Sequence, residues 1–158
     1  MGRWDKAFQE QVDMVQAQVP EPVIALGVLQ PAGSWGAMGL SRISGAASMI
    51  RQHEANKNAG PLSARKGMKA NRTTFMALTA DKLYAFDTKP SIKTRRNEIV
   101  GKLAEWNRPD VRVQLKPGRM STKVIFDHAD GSHAELEATT VTGYNDPFLA
   151  ELAGTAAA

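Results

Sequence analysis

"TKVIFDHADGSHAELEATT", residues 122–140, holds two alternating strand-like runs about an Asp-Gly turn, and the length of its loop decides which side chains share a face. With a two-residue loop of Asp130 and Gly131, His128 and His133 stand opposite each other, and Val124 and Phe126 face Glu137 and Glu135. With a three-residue loop, Ala129-Asp130-Gly131 with Gly131 left-handed, Val124 meets Leu136 and Phe126 meets Ala134 on one face. That register also sets Lys123 opposite Glu137 and Asp127 opposite His133. It keeps apolar residues together, so it is the expected one. It separates the two histidines onto opposite faces, and no metal pair is assigned to them.

The same texture extends upstream. "TTFMALT" (73–79), "KLYAFDT" (82–88), "NEIVGKLAEW" (97–106) and "VRVQL" (111–115) read as short strands joined by TADK, a basic linker, NRPD and KPGR. Their close spacing predicts antiparallel neighbours. Ahead of them "VIALGVLQ" (23–30) is a nearly continuous apolar run bounded by prolines, the pattern of a buried strand. Residues 1–19 place Trp4, Ala7, Phe8, Val12, Val15 and Val19 at helical spacing, and Pro20 and Pro22 end that helix. At the other end, "NDPFLAELAG" predicts a helix over 146–153. Asp146 is its N-cap, Pro147 its first turn and Gly154 its stop.

The chain has 158 residues, 17.1 kDa and 42% hydrophobic residues, which suits one domain with one core. No apolar run approaches the ~18 residues of a membrane span. Residues 1–11 lack the apolar centre of a secretory signal, and a cytoplasmic location is expected. There is no cysteine, which excludes disulfides, thiolate metal sites and a cysteine nucleophile. Net charge is +4, unevenly spread: residues 57–102 hold eleven Lys or Arg against three acids, a net of +8. A positive belt of that kind favours an anionic partner.

Residues 31–72 form a long insert rich in Gly, Ala and basic residues, with one short helical patch at "SRISGAASMIRQ". Gly33, Gly36 and Gly39 follow a Gly-x-x-Gly-x-x-Gly spacing, not the Gly-x-Gly-x-x-Gly of a dinucleotide cradle, and no Gly-Lys-Ser or Gly-Lys-Thr follows. Two roles suit the insert: packing on its own sheet, or an interfacial wedge made by Trp35, Met38, Leu40 and Ile43. In the second role the "ARKGMK" cluster, with Arg65, Lys66 and Lys69, and nearby Arg72 would meet anionic headgroups. The linker "KPSIKTRRNE" adds Lys89, Lys93, Arg95 and Arg96 as an anion-binding loop.

The succession "MALTADKLYAFDT", "VGKLAEWNRPDVRVQL", "VIFDHADGSHAELEATT" and "NDPFLAELA", seven strands and then one helix when "VIALGVLQ" is counted, resembles a bacterial pleckstrin-homology-like (PH-like) domain. The resemblance covers residues 73–153 and the strand at 23–30. It implies a mainly β fold: a seven-stranded antiparallel bent sheet or barrel, closed by strand pairing and plugged by the C-terminal helix. The N-terminal helix and the long insert between the first two strands depart from the family pattern. The resemblance implies a binding module rather than an enzyme, without a cofactor, acting through basic loops or sheet edges.

The residues agree with that expectation. Acids are scattered, and Ser121, Ser132 and the histidines form no triad signature; Asp127 beside His133 reads as a cross-strand pair. The expected function is recruitment of an acidic protein partner or an anionic phospholipid surface, the latter placing the chain at the inner face of a membrane. A nucleic-acid-associated accessory protein is the alternative, by charge only, because residues 87–105 offer no aromatic for base stacking. A homo-oligomer joined by edge strands or through Trp4, Phe8 and Val12 is a third reading.

Overall fold

The computed structural model describes residues 3–31, 73–93, 97–131, 133–140 and 143–156. In chain order these form α1 (Arg3–Gln16), β1 (Ala25–Pro31), β2 (Thr74–Leu78), β3 (Lys82–Pro90), β4 (Asn97–Asn107), a 3-10 turn (Arg108–Asp110), β5 (Val111–Pro117), β6 (Ser121–His128), β7 (His133–Thr139) and α2 (Asp146–Ala156). The expected insert with its short helix lies outside the described residues.

β6 and β7 pair in the three-residue-loop register: Val124 with Leu136, Phe126 with Ala134, Lys123 with Glu137 and Asp127 with His133. Gly131 has φ +94°, the left-handed conformation that turn requires. All seven strands join one antiparallel sheet in the order β4-β3-β2-β1-β7-β6-β5. β1 is the hinge of that order: residues 25–29 pair with β2, and 29–31 with β7.

The sheet is strongly curled. Trp106 on β4 and Phe126 on β6 are five strand steps apart, about 24 Å in a flat sheet, yet their rings are 6.2 Å apart. Two bulges help bend β4, which carries an extra residue at Leu103 and another at Val100 relative to β3. The expected closure into a barrel does not occur, because β4 and β5 end the strand order and do not pair with each other. A three-residue 3-10 turn joins them, and ring packing bridges the seam in part: Trp106 packs on Phe126 and on His128, the latter at 5.7 Å.

Both faces of β1, β2 and β3 are covered, which accounts for their nearly continuous apolar sequence. On the concave face Ala25, Leu29, Met76, Leu78, Leu83 and Ala85 pack with Trp106, the inward residues of β5–β7, and Phe148 and Leu152 of α2. On the convex face Leu26, Phe75, Ala77, Tyr84 and Phe86 pack with Val15 and Val19, and with Phe8 and Val12 of α1. Phe8 and Val12, read as a candidate oligomer contact, thus pack within their own chain. The side chain of Trp4 lies outside the described residues.

The link from α1 to β1 is held by one amide. The Gln16 side chain donates to the Val19 and Glu21 carbonyls at 3.1 and 2.9 Å and accepts from the Val23 N–H at 2.8 Å. That leaves the helix free to end at Gln16, four residues ahead of Pro20. At the other end α2 runs to Ala156, past the expected stop at Gly154. Glycine is merely a weak helix former there, and it ends a helix only where the backbone turns left-handed. Among the described residues no helix is long and apolar enough to cross a membrane.

Candidate functional site

Among the described residues the concave face is filled by packed side chains. Between Leu78, Leu83, Arg108, Val111, Val113 and Leu152 there remains a void of about 10 Å³, near the minimum for one water. A ligand therefore has the rims, the loops and the edges to use. Two regions among the described residues have the chemistry to do so.

The first is the end of the β3–β4 hairpin. The register with β2 ends at Asp87, whereas β3 and β4 continue to pair through Lys89 with Glu98 and Pro90 with Asn97. The ribbon therefore runs on beyond the described part of its neighbour, with the Thr88 hydroxyl donating to the Thr73 carbonyl at 2.5 Å. Lys89 and Lys93 are exposed on it. Between them Ile92 is 98% exposed at the turn.

The second region is the seam between the sheet edges, where three connections gather. The Arg108 N–H donates to the Asp81 carbonyl and the Ala129 N–H to the Asp110 carbonyl, both at 2.9 Å. The Arg108 guanidinium donates to the Thr79 carbonyl at 2.9 Å and lies 3.9 Å from Glu151 of α2. These ties hold open a cleft of about 970 Å³ whose charged lining is Asp81, Arg108, Asp110, Arg112 and Asp127. An adjoining hollow of about 550 Å³ is lined by Lys82, Glu105, Trp106, Asp110, His128 and Asp130, among others. The described lining of the two spaces mixes both signs of charge and includes no hydroxyl side chain. The Lys82 amine donates to Glu105 at 2.9 Å, and that bond holds its pKa above the ordinary lysine value.

The convex face of β5–β7 carries a charged ladder. His133 Nδ1 lies 2.6 Å from Asp127 Oδ1 and Nε2 lies 3.2 Å from Glu135 Oε2, so only the imidazolium donates to both carboxylates. Asp127 first and Glu135 second raise the His133 pKa. Lys123, at 2.8 Å, is the main cause of the lowered Glu135 pKa. Because the folded His133 pKa is raised, its contribution is full below the ordinary histidine value and fades as pH rises through the folded one. His133→Gln should therefore lower stability by a few tenths of a kcal/mol at pH about 6, the scale of exposed pairs, and by nothing at alkaline pH. Chemical denaturation of both proteins across that range measures it; a deficit independent of pH would refute the ion-pair assignment.

Of the residues singled out from the sequence, Lys89 and Lys93 stand together on the β3–β4 hairpin. Arg65, Lys66, Lys69, Arg72, Arg95 and Arg96, and the wedge of Trp35, Met38, Leu40 and Ile43, lie outside the described residues. Sequence reading passed over Ile92, although an isoleucine inside "KPSIKTRRNE" is itself a signal, since turn tips favour Gly, Asn, Asp and Ser. It also passed over the anchoring role of Arg108, whose partners lie 29 and 43 positions away. Comparison with known proteins found no matching family model, no matching curated protein and no matching solved structure.

Proposed function

We propose that this protein is a non-catalytic interaction module of PH-like build that engages an anionic partner, an acidic protein surface or an anionic bilayer, through its basic segment. The observation that carries the reading is the exposure of Lys89 and Lys93 on a ribbon that continues past the described end of β2, within a stretch of net charge +8. Charges on a projecting rim reach a flat anionic surface together, whereas charges spread around the fold do not. The strand order, with a helix packed into the concave face, supports the PH-like build. The filled interior supports binding at loops and edges.

Binding of the full chain to polyglutamate, to phosphatidylserine vesicles and to duplex DNA, each across a salt series, tests the proposal. The charge-reversed variant Lys89→Glu/Lys93→Glu/Arg95→Glu/Arg96→Glu should bind its anionic target at least about a hundredfold more weakly, at about 1 kcal/mol per cation near an anionic surface. Binding should also fall steeply with salt. No binding to any of the three at low salt, or binding untouched by the reversal, refutes the proposal. Tight binding to DNA alone would transfer the same cations to a nucleic-acid role.

A further inference from the structure

Resting on that reading, we infer that the anionic partner is a lipid bilayer and that Ile92 is the side chain that enters it. Exposed apolar residues are ordinary on protein surfaces, so exposure alone says little. Ile92 differs in degree and in position. At 98% exposure it stands clear of the rest of the fold among the described residues, where the next most exposed large apolar residue, Met120, is at 55%. It sits at the turn of a hairpin whose two strands go on pairing past the described end of β2, and not on the flank of the sheet. Val100, 53% exposed and displaced by a bulge, lies on the same hairpin.

The flanking charge selects the partner. An acidic protein surface would meet Lys89 and Lys93 but would leave an isoleucine between them facing carboxylates and water. A bilayer with anionic headgroups answers both chemistries at their own depths. The lysine ammonium groups stay at the headgroup level while the four-carbon side chain of Ile92 passes just below it. The lysine stems can follow it part of the way. One small side chain does not hold a protein on a membrane by itself. Insertion must therefore depend on the cations, and attachment must be reversible.

The chain has no cysteine, so Ile92→Cys carries one dye at one place. The full chain, labelled there with an environment-sensitive fluorophore, is mixed with phosphatidylcholine vesicles and with vesicles containing one part phosphatidylserine in three. Met120→Cys, labelled identically, is the reference. The expected result is a blue shift and brightening at position 92 with the anionic vesicles only, quenched by lipids brominated on the acyl chain, and less change at position 120. Ile92→Ser, which leaves the core of the described residues in place, should pellet about tenfold less with anionic vesicles, the loss expected when one isoleucine no longer leaves water. Its circular dichroism should match that of the parent.

Anionic vesicles that pellet the protein with the dye at 92 unmoved would mean adsorption by charge without insertion. That outcome overturns this inference and leaves the anionic-partner reading standing. Binding to polyglutamate with no binding to vesicles does the same. Failure to bind either polyglutamate or vesicles at low salt overturns both.

Discussion

Gly27→Ala is expected to lower the stability of the fold by about 2 kcal/mol, and Gly27→Val by about 3 kcal/mol or more, the range of overpacked cores. Glycine inside a strand is normally a weakness, so alanine at a permissive position gains up to about 1 kcal/mol. Here the sign reverses because of what lies above the backbone. A Cβ at position 27 would stand 2.5 Å from Phe148 Cδ1, 2.7 Å from Phe148 Cε1 and 2.6 Å from Leu29 Cδ1. Phe148 and Leu29 have no exposed surface, so neither can swing into solvent to make room. The relief left is for α2 to lift, which uncovers Phe148 and Leu152 together.

Three measurements isolate that cause. Gly101 lies on β4 with nothing within 4 Å of where its Cβ would be, so Gly101→Ala should be neutral or slightly stabilising. Phe148→Leu alone should cost stability by vacating core volume. Combined with Gly27→Ala it should cost less than the sum of the two singles, by about 1 kcal/mol of favourable coupling. Additive losses would mean that the glycine is needed for its backbone and not for the ring above it. Thermal unfolding reads these differences, each kcal/mol moving the midpoint by about 2–4 °C in a chain of this size.

Features that depend on local alternation were legible from the sequence, and features that depend on one distant side chain were not. The β6–β7 register could be read because one choice of loop collects Val124, Phe126, Ala134 and Leu136, and Gly131 supplies the positive φ the choice requires. Helix α1 could be read from its apolar spacing, and its packing on the convex face explains why β2 is buried at every position. Closure of the sheet was misjudged for a physical reason. Alternation states which side chains point inward but not whether the last two edges approach closely enough to exchange backbone hydrogen bonds. Trp106, His128 and Phe126 hold β4 near β6 by ring packing, which substitutes for a β4–β5 ladder. Of the candidate site, the lysines of the β3–β4 linker were legible as charge, whereas the significance of Ile92 needed its exposure. Tyr84 was equally opaque in the sequence. Its hydroxyl donates to Glu21 at 2.7 Å from a buried ring, and burial, with Glu21 beside it, pushes its pKa up to about 12.

Asn145→Ala is expected to be the most damaging polar substitution in the fold, at about 3–5 kcal/mol, because it strands three backbone groups at once. β1 pairs with β7 only from Leu29 onward, so Val28 lies opposite the last residue of β7, Thr139, where the ladder between the two strands has stopped. Asn145 continues it with a side chain that acts as a fragment of strand. Its Oδ1 accepts from the Val28 N–H at 2.8 Å, and its Nδ2 donates to the Val28 carbonyl at 3.2 Å and to the Thr139 carbonyl at 3.0 Å. Its own carbonyl accepts from the Leu149 N–H at 2.9 Å, opening α2, and the whole residue is 1% exposed. One amide thus ties the end of β7, the middle of β1 and the start of the helix that fills the concave face. Asn145→Asp separates the amide's donors from its shape. The carboxylate still accepts from Val28 but turns toward two carbonyl oxygens with nothing to donate, which raises its pKa. With a folded pKa above the unfolded one, the stability of that variant relative to the parent is best below the ordinary aspartate value and falls as pH rises through the folded one. At neutral pH it should be at least as unstable as the alanine variant. Urea unfolding of the three proteins at acid and neutral pH measures this; a loss under about 1 kcal/mol for Asn145→Ala, or an aspartate deficit that does not grow with pH, would show that water replaces the amide and that β1 needs no such tie.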